Sequence, residues 1–337
     1  MNSYERVMNR LAGKPVDYLP NLSLTMMFAA KEAGVSFGEF CSDYRKLSEG
    51  ALRCHEKYGI DMVCVISDPM RETEGFGTEV VIPSENVPYP KVRRIKNIED
   101  IDTLKVIEPF QCRRMNDRVE AVRFLKERVQ NDIPVIGWIE GAFAESCDLM
   151  GMQEFFMNLM EEPDAMNQLM DICMEQGLRF ARAQIEAGAE IIGIGDAASS
   201  LIGPSLYEEF ALPYQQKLIS AVHAMGAKVK LHICGNLNPV LHYVAQTGAD
   251  IVDLDSMVDM EAAADILPEK SSICGNFNPV QVLYNGTPQL VRSEVERCMG
   301  IADKNRSMIS PGCEIPRDSA SENVLAIHQA IAERGFL

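Results

Sequence analysis

The feature that most constrains the fold is a series of short apolar runs, rich in β-branched residues, that alternate with longer segments of helical periodicity. The helical segments, such as residues 164–187 and 213–225, carry apolar side chains at three- and four-residue spacing. The apolar runs predict eight strands, over residues 18–24, 61–66, 134–139, 190–195, 228–233, 250–254, 271–274 and 307–309. Alternating strands and helices predict a parallel sheet, and eight such units predict an α/β fold of the closed (β/α)8 TIM-barrel type.

The length of 337 residues fits a single barrel domain that spans residues 1–337. An open, doubly wound sheet is the structural alternative, but no Gly-x-Gly-x-x-Gly turn follows a predicted strand. Residues 78–95 interrupt the alternation, because they alternate in polarity and contain prolines. We expect this segment to form a β-hairpin excursion after the second strand.

An internal repeat supports the barrel. Residues 233–240 (ICGNLNPV) nearly recur as residues 273–280 (ICGNFNPV), 40 residues later, which is about the length of one strand–helix unit in a chain of 337 residues. In both copies a glycine bends the chain after a strand, and asparagine and proline begin the next helix. Cys274 is therefore interpreted as the structural counterpart of Cys234, and metal ligation by Cys274 is the less favoured alternative.

Polar residues follow the predicted strands at their carboxyl ends, which is the face where barrel enzymes build their active sites. In chain order they are Asp68, Glu140, Asp196, His232, Cys234, Asp255, Asn276 and Cys313. We therefore expect these side chains to surround the mouth of the barrel.

His232, Cys234 and Cys313 form the set with the clearest chemistry. Imidazole and two thiolates are ligands that zinc prefers, and three protein ligands leave one coordination position open, as in catalytic zinc sites. Two buried cysteines and a core histidine that meet by chance are the alternative reading, but the convergence of two strand ends on one mouth argues against it. The sequence therefore predicts a catalytic Zn²⁺ site.

Composition excludes several classes of function. The net charge of −17 disfavours binding to nucleic acid. No run approaches the roughly 18 apolar residues of a membrane span, and the first residues lack the apolar core of a signal peptide. The ten cysteines predict free thiols or metal ligands in a cytoplasmic protein.

The chain resembles the uroporphyrinogen decarboxylase superfamily along nearly its whole length. The resemblance rests on the His-x-Cys…Cys set and on residues 5–17, 141–143, 195–196, 199–204 and 207–214. Within the superfamily, the sequence is similar to the zinc-dependent corrinoid methyltransferases, whose zinc site corresponds to His232, Cys234 and Cys313. That resemblance implies a methyl transfer between a small molecule and a corrinoid cobalt. Since the chain contains no Asp-x-His-x-x-Gly corrinoid motif, it also implies that a separate corrinoid (cobalamin) protein docks over the barrel mouth.

The resemblance leaves the reaction open. Our interpretation leans towards demethylation of a methyl ether such as a methoxyaromatic, and methylation of a thiol by a methylcobamide:coenzyme M methyltransferase is the main alternative. Uroporphyrinogen decarboxylation is disfavoured because residues 21–28 lack the family's substrate-binding arginines, although Asp68 matches the catalytic aspartate. A non-catalytic zinc barrel that only binds a corrinoid protein is a further alternative.

The remaining site residues are assigned by position. Glu140, Asp196 and Asp68 are candidate proton carriers or fourth metal ligands, and Glu72 and Glu74 are further carboxylates in the same acidic loop. Asp253 and Asp255 are expected to orient the His232 ring, with Asn276 among the residues that support the site. The expected lining of an apolar substrate slot comprises Met26, Met27, Phe28, Trp138 and Phe277.

Overall fold

The computed structural model describes residues 1–302 and 307–335. Its main sheet has six parallel strands in the order β1, β4, β5, β6, β7, β8. Their bounds are Val63–Cys64 (β1), Val135–Glu140 (β4), Ile191–Gly195 (β5), Lys228–Ile233 (β6), Ile251–Leu254 (β7) and Ser272–Cys274 (β8). Two further strands, Val80–Val81 (β2) and Tyr89–Pro90 (β3), pair in antiparallel fashion within residues 78–95. The predicted hairpin excursion is confirmed.

The ring of strands is closed by two extended segments. Asn21 bridges Ile309 in parallel fashion, and Met308 bridges Cys274 at the edge of β8. The Asp61 N–H donates to the carbonyl oxygen of Asn21 at 2.7 Å, which joins the first segment to the chain that leads into β1. The closed (β/α)8 architecture is therefore confirmed.

The prediction of regular strands over residues 18–24 and 307–309 was wrong in detail. Within the described residues, these segments form isolated bridges and no continuous ladder. Pro20 and Pro311 lie in or beside the segments, and proline has no N–H to donate to a ladder. The chain still passes at strand distance, so the two segments close the barrel without forming strands of their own.

Helices follow the strands and cover the outside of the barrel. The α-helices are Ser3–Leu11 (α1), Met26–Ala33 (α2), Phe37–Ser42 (α3), Tyr44–Tyr58 (α4), Met70–Gly75 (α5), Arg113–Val129 (α6), Ala142–Met150 (α7), Met152–Glu161 (α8), Pro163–Ala187 (α9), Pro204–Leu206 (α10), Leu212–Ala224 (α11), Leu241–Val244 (α12), Met260–Ile266 (α13), Pro288–Ala302 (α14) and Ser321–Arg334 (α15). Short 3₁₀ segments cover Ile98–Thr103, Pro109–Gln111, Ala197–Leu201 and Asn238–Val240, and π-helical turns cover Tyr207–Ala211 and Val280–Tyr284. Among the helices of the described ranges, none has both the length and the apolar character that a membrane crossing requires.

The barrel interior is arranged in rows of residues that are paired across neighbouring strands. One row at the mouth runs through Glu140, Gly195, His232, Asp253 and Cys274. In parallel strands, residues in register point to the same face of the sheet. The polar residues of this row therefore share the interior face at the carboxyl end of the barrel.

Trp138 fills the interior one layer below that row. A Cβ atom at Gly193 would lie 2.1 Å from the Trp138 ring, and one at Gly195 would lie 3.1 Å from its Nε1. The two glycines therefore make room for the indole. The Trp138 ring centroid lies 6.4 Å from that of His232, so Trp138 forms the floor beneath the mouth.

Candidate metal centre

The structure brings His232, Cys234 and Cys313 together at the mouth of the barrel. The two sulfurs lie 3.7 Å apart, and the Cys313 sulfur lies 3.9 Å from His232 Nε2. The Cys234 sulfur lies 2.9 Å from the same nitrogen. Among the described residues, these are the three side chains whose ligand atoms cluster tightly enough to hold a metal ion.

The donor set fits zinc. Tetrahedral zinc with Zn–S bonds of about 2.3 Å separates two sulfurs by about 3.8 Å, and a sulfur and an imidazole nitrogen by about 3.6 Å. The distance between the two sulfurs matches this spacing, and the distance from Cys234 to His232 is shorter. No carboxylate of the described residues belongs to the cluster, and neither does Cys274, which is fully buried beneath it.

Two tight turns position Cys234 and Cys313 at the mouth of the barrel. Gly235, which follows Cys234, has a φ of 102°, a conformation that favours glycine. Gly312, which precedes Cys313, approaches the chain so closely that a Cβ atom there would lie 2.2 Å from the backbone nitrogen of Ser256. The Gly312 N–H donates to the carbonyl oxygen of Phe277 at 2.8 Å. The repeated turn after β8 thus supports the segment that carries Cys313.

Asp255 and Asn276 hold these turns in place. The Asp255 carboxylate accepts hydrogen bonds from the N–H groups of Gly235 and Met257, each at 3.0 Å. The Asn276 amide donates to the carbonyl oxygens of Asp255 and Val258 at 3.1 and 2.7 Å. The expectation that Asp255 orients the His232 ring is therefore corrected, because the backbone of the Cys234 turn occupies its oxygens.

Asp253 is the carboxylate that supports His232. Its Oδ2 atom lies 2.8 Å from His232 Nδ1, on the side of the ring opposite to the sulfurs. The same oxygen accepts a hydrogen bond from the ammonium group of Lys230, which is 0% exposed. Lys230 was not among the predicted site residues. The available signal was its position two residues before His232, which places both side chains on one face of β6.

The two thiols and the imidazole shift one another's pKa values. A hydrogen bond from the Cys234 thiol lowers the pKa of Cys313 to about 4 and raises that of Cys234. Burial opposes the charged form of His232, but Asp253 outweighs it and raises the pKa of the imidazole to about 9. Because metal ligands must be deprotonated, zinc binding releases the protons held by Cys234 and His232.

Glu314 is a second residue that the sequence analysis missed. It follows Cys313 directly, and its carboxylate accepts a hydrogen bond from the N–H of Met27 at 3.4 Å. Burial, together with the negative charge of Cys313, raises the pKa of Glu314 to about 7. Its position beside a metal ligand was visible in the sequence, but its contact with helix α2 depends on the closure of the barrel.

The predicted slot residues divide into two groups. Met26 and Met27 are half-buried at the start of helix α2, and Trp138 forms the floor. Phe28 is fully buried and packs on Tyr58, with 5.2 Å between the ring centroids. Phe277 is also buried. The two phenylalanines thus pack behind the residues that line the mouth. They do not expose the aromatic surface that was expected for a substrate slot.

A buried network of arginines and carboxylates lies beside the metal centre. Asp68 accepts hydrogen bonds from Arg114 and, at 2.7 Å, from Ser67. Burial raises the pKa of Asp68, but Arg114 outweighs it and the net result is a pKa of about 2. Glu74 lies 3.8 Å from Arg114 at the edge of the same network. This pairing favours a structural role for Asp68 near neutral pH, because a carboxyl group with so low a pKa carries no proton.

Glu140 is the carboxylate of this network that faces the barrel interior. Its Oε1 atom accepts a hydrogen bond from Arg71 at 2.6 Å, and its Oε2 atom lies 3.0 Å from the position that a Gly195 Cβ would occupy. Glu72 accepts a hydrogen bond from the Glu140 N–H at 2.9 Å. Burial raises the pKa of Glu140 well above its usual range, against the opposing charge of Arg71. The raised pKa makes Glu140 a better proton acceptor than an exposed carboxylate would be.

Asp196 faces away from the metal. Its Oδ1 atom accepts the N–H of Ala144 in the first turn of helix α7 at 3.0 Å, and its Oδ2 atom accepts a hydrogen bond from Gln215 at 2.7 Å. Burial raises the pKa of Asp196 to about 6. Because both oxygens serve the start of a helix and a neighbouring side chain, this geometry favours a structural role.

The raised pKa of Asp196 predicts a pH dependence of stability. The folded protein holds this proton up to a pKa of about 6, whereas the unfolded chain releases it near the ordinary aspartate pKa of 3.8. The contribution of Asp196 to the free energy of unfolding is therefore complete below pH 3.8 and is lost as the pH rises to about 6. This free energy falls by about 3 kcal/mol over that range. We expect Asp196→Asn to remove this part of the slope, as measured by urea unfolding between pH 4 and 7. An unchanged slope would contradict the assignment.

Comparison with known proteins identifies the family of the chain. The profile of the uroporphyrinogen decarboxylase (URO-D) family matches residues 2–334. "Methylcobamide:CoM methyltransferase MtbA" of Methanosarcina mazei is 31% identical over 326 residues, which cover 95% of this chain and 94% of that protein. The protein of the same name from Methanosarcina acetivorans is 32% identical over 327 residues, with coverage of 95% and 94%. A solved structure of a "methyltransferase from Methanosarcina mazei" superposes with a TM-score of 0.91 at 24% identity, over 99% of both chains.

The chain belongs to the uroporphyrinogen decarboxylase family. Within that family it is an enzyme of the methyltransferase class, since relatives above 30% identity along almost its whole length are methyltransferases. The predicted family and enzyme class are confirmed, and the solved methyltransferase supports the barrel fold.

Proposed function

We propose that this protein transfers a methyl group between a small molecule and the cobalt of a separate corrinoid protein, at a zinc ion held by His232, Cys234 and Cys313. The observation that carries the proposal is the metal centre itself, which has three ligands and lies at the open end of the barrel. A site with three protein ligands keeps a position for substrate, whereas a structural site is closed by four. When bound, zinc supplies Lewis acidity, which favours the anionic form of a sulfur or oxygen of the substrate.

The corrinoid partner is supported by the names of the relatives. Two relatives above 30% identity are called methylcobamide:CoM methyltransferases, and a methylcobamide is a methylated corrinoid. We therefore infer that the cobalt arrives on another protein, which covers the mouth and excludes water while the methyl group moves.

For the direction, we propose methylation of a small thiol. The names of the relatives favour a thiol acceptor. The burial of Phe28 and Phe277 also removes part of the aromatic slot on which the demethylating direction depended. Demethylation of a methyl ether stays the second candidate, because the half-buried side chains of Met26 and Met27 still offer apolar surface.

The protein's own residues have distinct parts in this scheme. His232, Cys234 and Cys313 would hold the ion, and Asp253 orients the His232 ring. Trp138 closes the floor and keeps water out from below. Glu140 is placed to accept the proton that a thiol loses, because its Oε2 atom faces the interior beside Gly195. The released proton then stays within the buried network around Arg71.

A spectroscopic assay tests the proposal. The protein is mixed with methylcobalamin and a panel of small thiols, and separately with cobalt(I) cobalamin and a panel of methoxyaromatics. We expect the methylcobalt absorption to decay with a thiol and not to form from a methyl ether. Formation from an ether would support the second candidate. A protein with full zinc occupancy and no transfer in either direction would be a non-catalytic barrel.

The exposed side chains around the mouth predict where the corrinoid protein docks. Leu201 and Met257 are 61% and 62% exposed. Leu201 ends the 3₁₀ segment Ala197–Leu201, in which Ser200 approaches Gly235 of the Cys234 turn. Met257 lies two residues after Asp255, whose carboxylate accepts a hydrogen bond from the Gly235 N–H. Large exposed apolar side chains beside a site that needs a protein partner are typical of a docking surface.

We expect Leu201→Glu combined with Met257→Glu to raise the KM for a methylated corrinoid protein about tenfold or more, which corresponds to about 1.4 kcal/mol. Zinc content and the rate with free methylcobalamin should not change, because neither side chain touches the ligands. Met160→Glu is the matched control, since Met160 is 69% exposed on helix α8. Equal KM values for the wild type, the double variant and the Met160→Glu control would exclude this docking surface.

A further inference from the structure

Lys230 is a charged side chain in the interior of the barrel. It lies in the middle of β6, with Gly193 and Ile251 as its partners on the neighbouring strands, and it is 0% exposed. A buried ammonium group is costly unless it is paired. Its partner is Asp253, whose Oδ2 atom accepts its hydrogen bond.

The pair is connected to the metal centre through a single atom. Oδ2 of Asp253 contacts the ammonium group of Lys230 and lies 2.8 Å from Nδ1 of His232. The other carboxylate oxygen is buried and has no hydrogen-bond partner, and the contact between Oδ2 and His232 Nδ1 is a close charge contact without hydrogen-bond alignment. Lys230 and His232 therefore compete for the negative charge of Asp253. A stronger interaction of the carboxylate with Lys230 weakens its interaction with His232.

We propose that Lys230 is a positioning residue of the metal centre, which acts through Asp253 to set how strongly His232 donates to the metal. The inference rests on the proposed zinc site. With two thiolates, one carboxylate and one ammonium group, the formal charges of the assembly cancel when a divalent ion is bound. Without Lys230, an uncompensated carboxylate would make His232 a stronger donor and the metal a weaker Lewis acid.

A double-mutant cycle separates this role from simple packing. Lys230→Met removes the charge and keeps a similar volume. We expect it to bind zinc at least as tightly as the wild type, in competition with a chromophoric chelator, while thiol methylation slows about tenfold or more. Asp253→Asn leaves Lys230 unpaired beside the metal and should raise the Kd for zinc about tenfold or more. The double variant should return towards the wild type in both measurements.

Two further measurements keep the test independent of activity and of folding. The visible spectrum of the cobalt(II)-loaded protein should shift in Lys230→Met, because the imidazole donor has changed. Lys228→Met is the matched control on the same strand, since Lys228 is 50% exposed and pairs with Asp250 at 2.9 Å. It should alter neither the zinc affinity nor the spectrum.

The inference and the proposed function fail in different ways. A wild-type protein that binds no zinc overturns the proposed function. A wild type that binds zinc, with Lys230→Met either unchanged in rate and spectrum or weakened in zinc affinity as much as Asp253→Asn, overturns the role of Lys230. Additive effects in the double variant would also contradict it.

Discussion

Cys313→Ala and His232→Ala should each empty the metal centre and abolish methyl transfer. Each change removes one of three ligands, and two neutral or anionic donors are too few to retain zinc against a chelator. We expect about one zinc per chain in the wild type and almost none in either variant. The loss of transfer should exceed the roughly 10–100-fold that changes outside the ligand set cost. Metal analysis of the purified proteins, followed by the methylcobalamin assay, measures both effects.

The matched control is Cys274→Ala. Cys274 occupies the same place in the repeated turn as Cys234 but is fully buried and lies outside the ligand cluster. It should keep its zinc and its activity, with some loss of stability from the missing sulfur. If Cys274→Ala loses the metal and Cys313→Ala keeps it, the ligand set is wrong. Circular dichroism of each variant excludes unfolding as the cause of metal loss.

Glu140→Gln is expected to have the second largest effect. Glutamine keeps a hydrogen-bond acceptor for Arg71 but cannot take up a proton. We expect the rate of thiol methylation to fall about 10²–10⁴-fold, as is usual for loss of a general base, while zinc content stays at the wild-type level. Because the pKa of Glu140 is raised, the wild-type rate should increase with pH as this group loses its proton, and the variant should lack that increase.

Glu145→Gln is the control for this prediction. Glu145 is buried on helix α7 and accepts a hydrogen bond from Thr73 at 2.8 Å, but it lies outside the row of residues that faces the barrel interior. Its raised pKa has the same physical origin, burial among other carboxylates. It should leave the pH profile of transfer unchanged. A similar loss of rate in both variants would mean that the network acts only through stability.

The barrel was predictable because its repeating pattern is local. Strand β6 and strand β5 lie at the predicted positions, since continuous apolar runs mark buried parallel strands. The segments around Asn21 and Met308 were predicted as strands, but the neighbouring prolines reduce them to bridges. The periodicity of a sequence indicates which side chains are buried. It does not indicate whether the backbone of the segment forms hydrogen bonds with a neighbouring strand on each side.

The clustering of His232, Cys234 and Cys313 was predictable for a different reason. The residue types of His232, Cys234 and Cys313 carry the chemistry themselves, and the carboxyl ends of barrel strands converge. Position alone was a weaker guide to Asp196, which also follows a strand but turns outward to the start of helix α7. A strand end fixes where a residue lies and not which way its side chain points.

Lys230 was missed because it interrupts an apolar run at a place where a charge is expected only on the outside. Its pairing with Asp253 depends on the register between strands β6 and β7, which cannot be read from the sequence. The contact of Glu314 with Met27 likewise depends on closure of the ring between the last and first segments. Both omissions concern contacts between distant parts of the chain.

We expect methyl transfer by this protein to depend on zinc at this centre. The most direct measurement is to strip the protein with a chelator, restore zinc in steps up to about one ion per chain, and record the rate at which a small thiol demethylates methylcobalamin. We predict a rate that is close to zero without zinc and rises in proportion to the occupied fraction. A full rate in the stripped protein, or no rate at full occupancy with any thiol, would contradict the account.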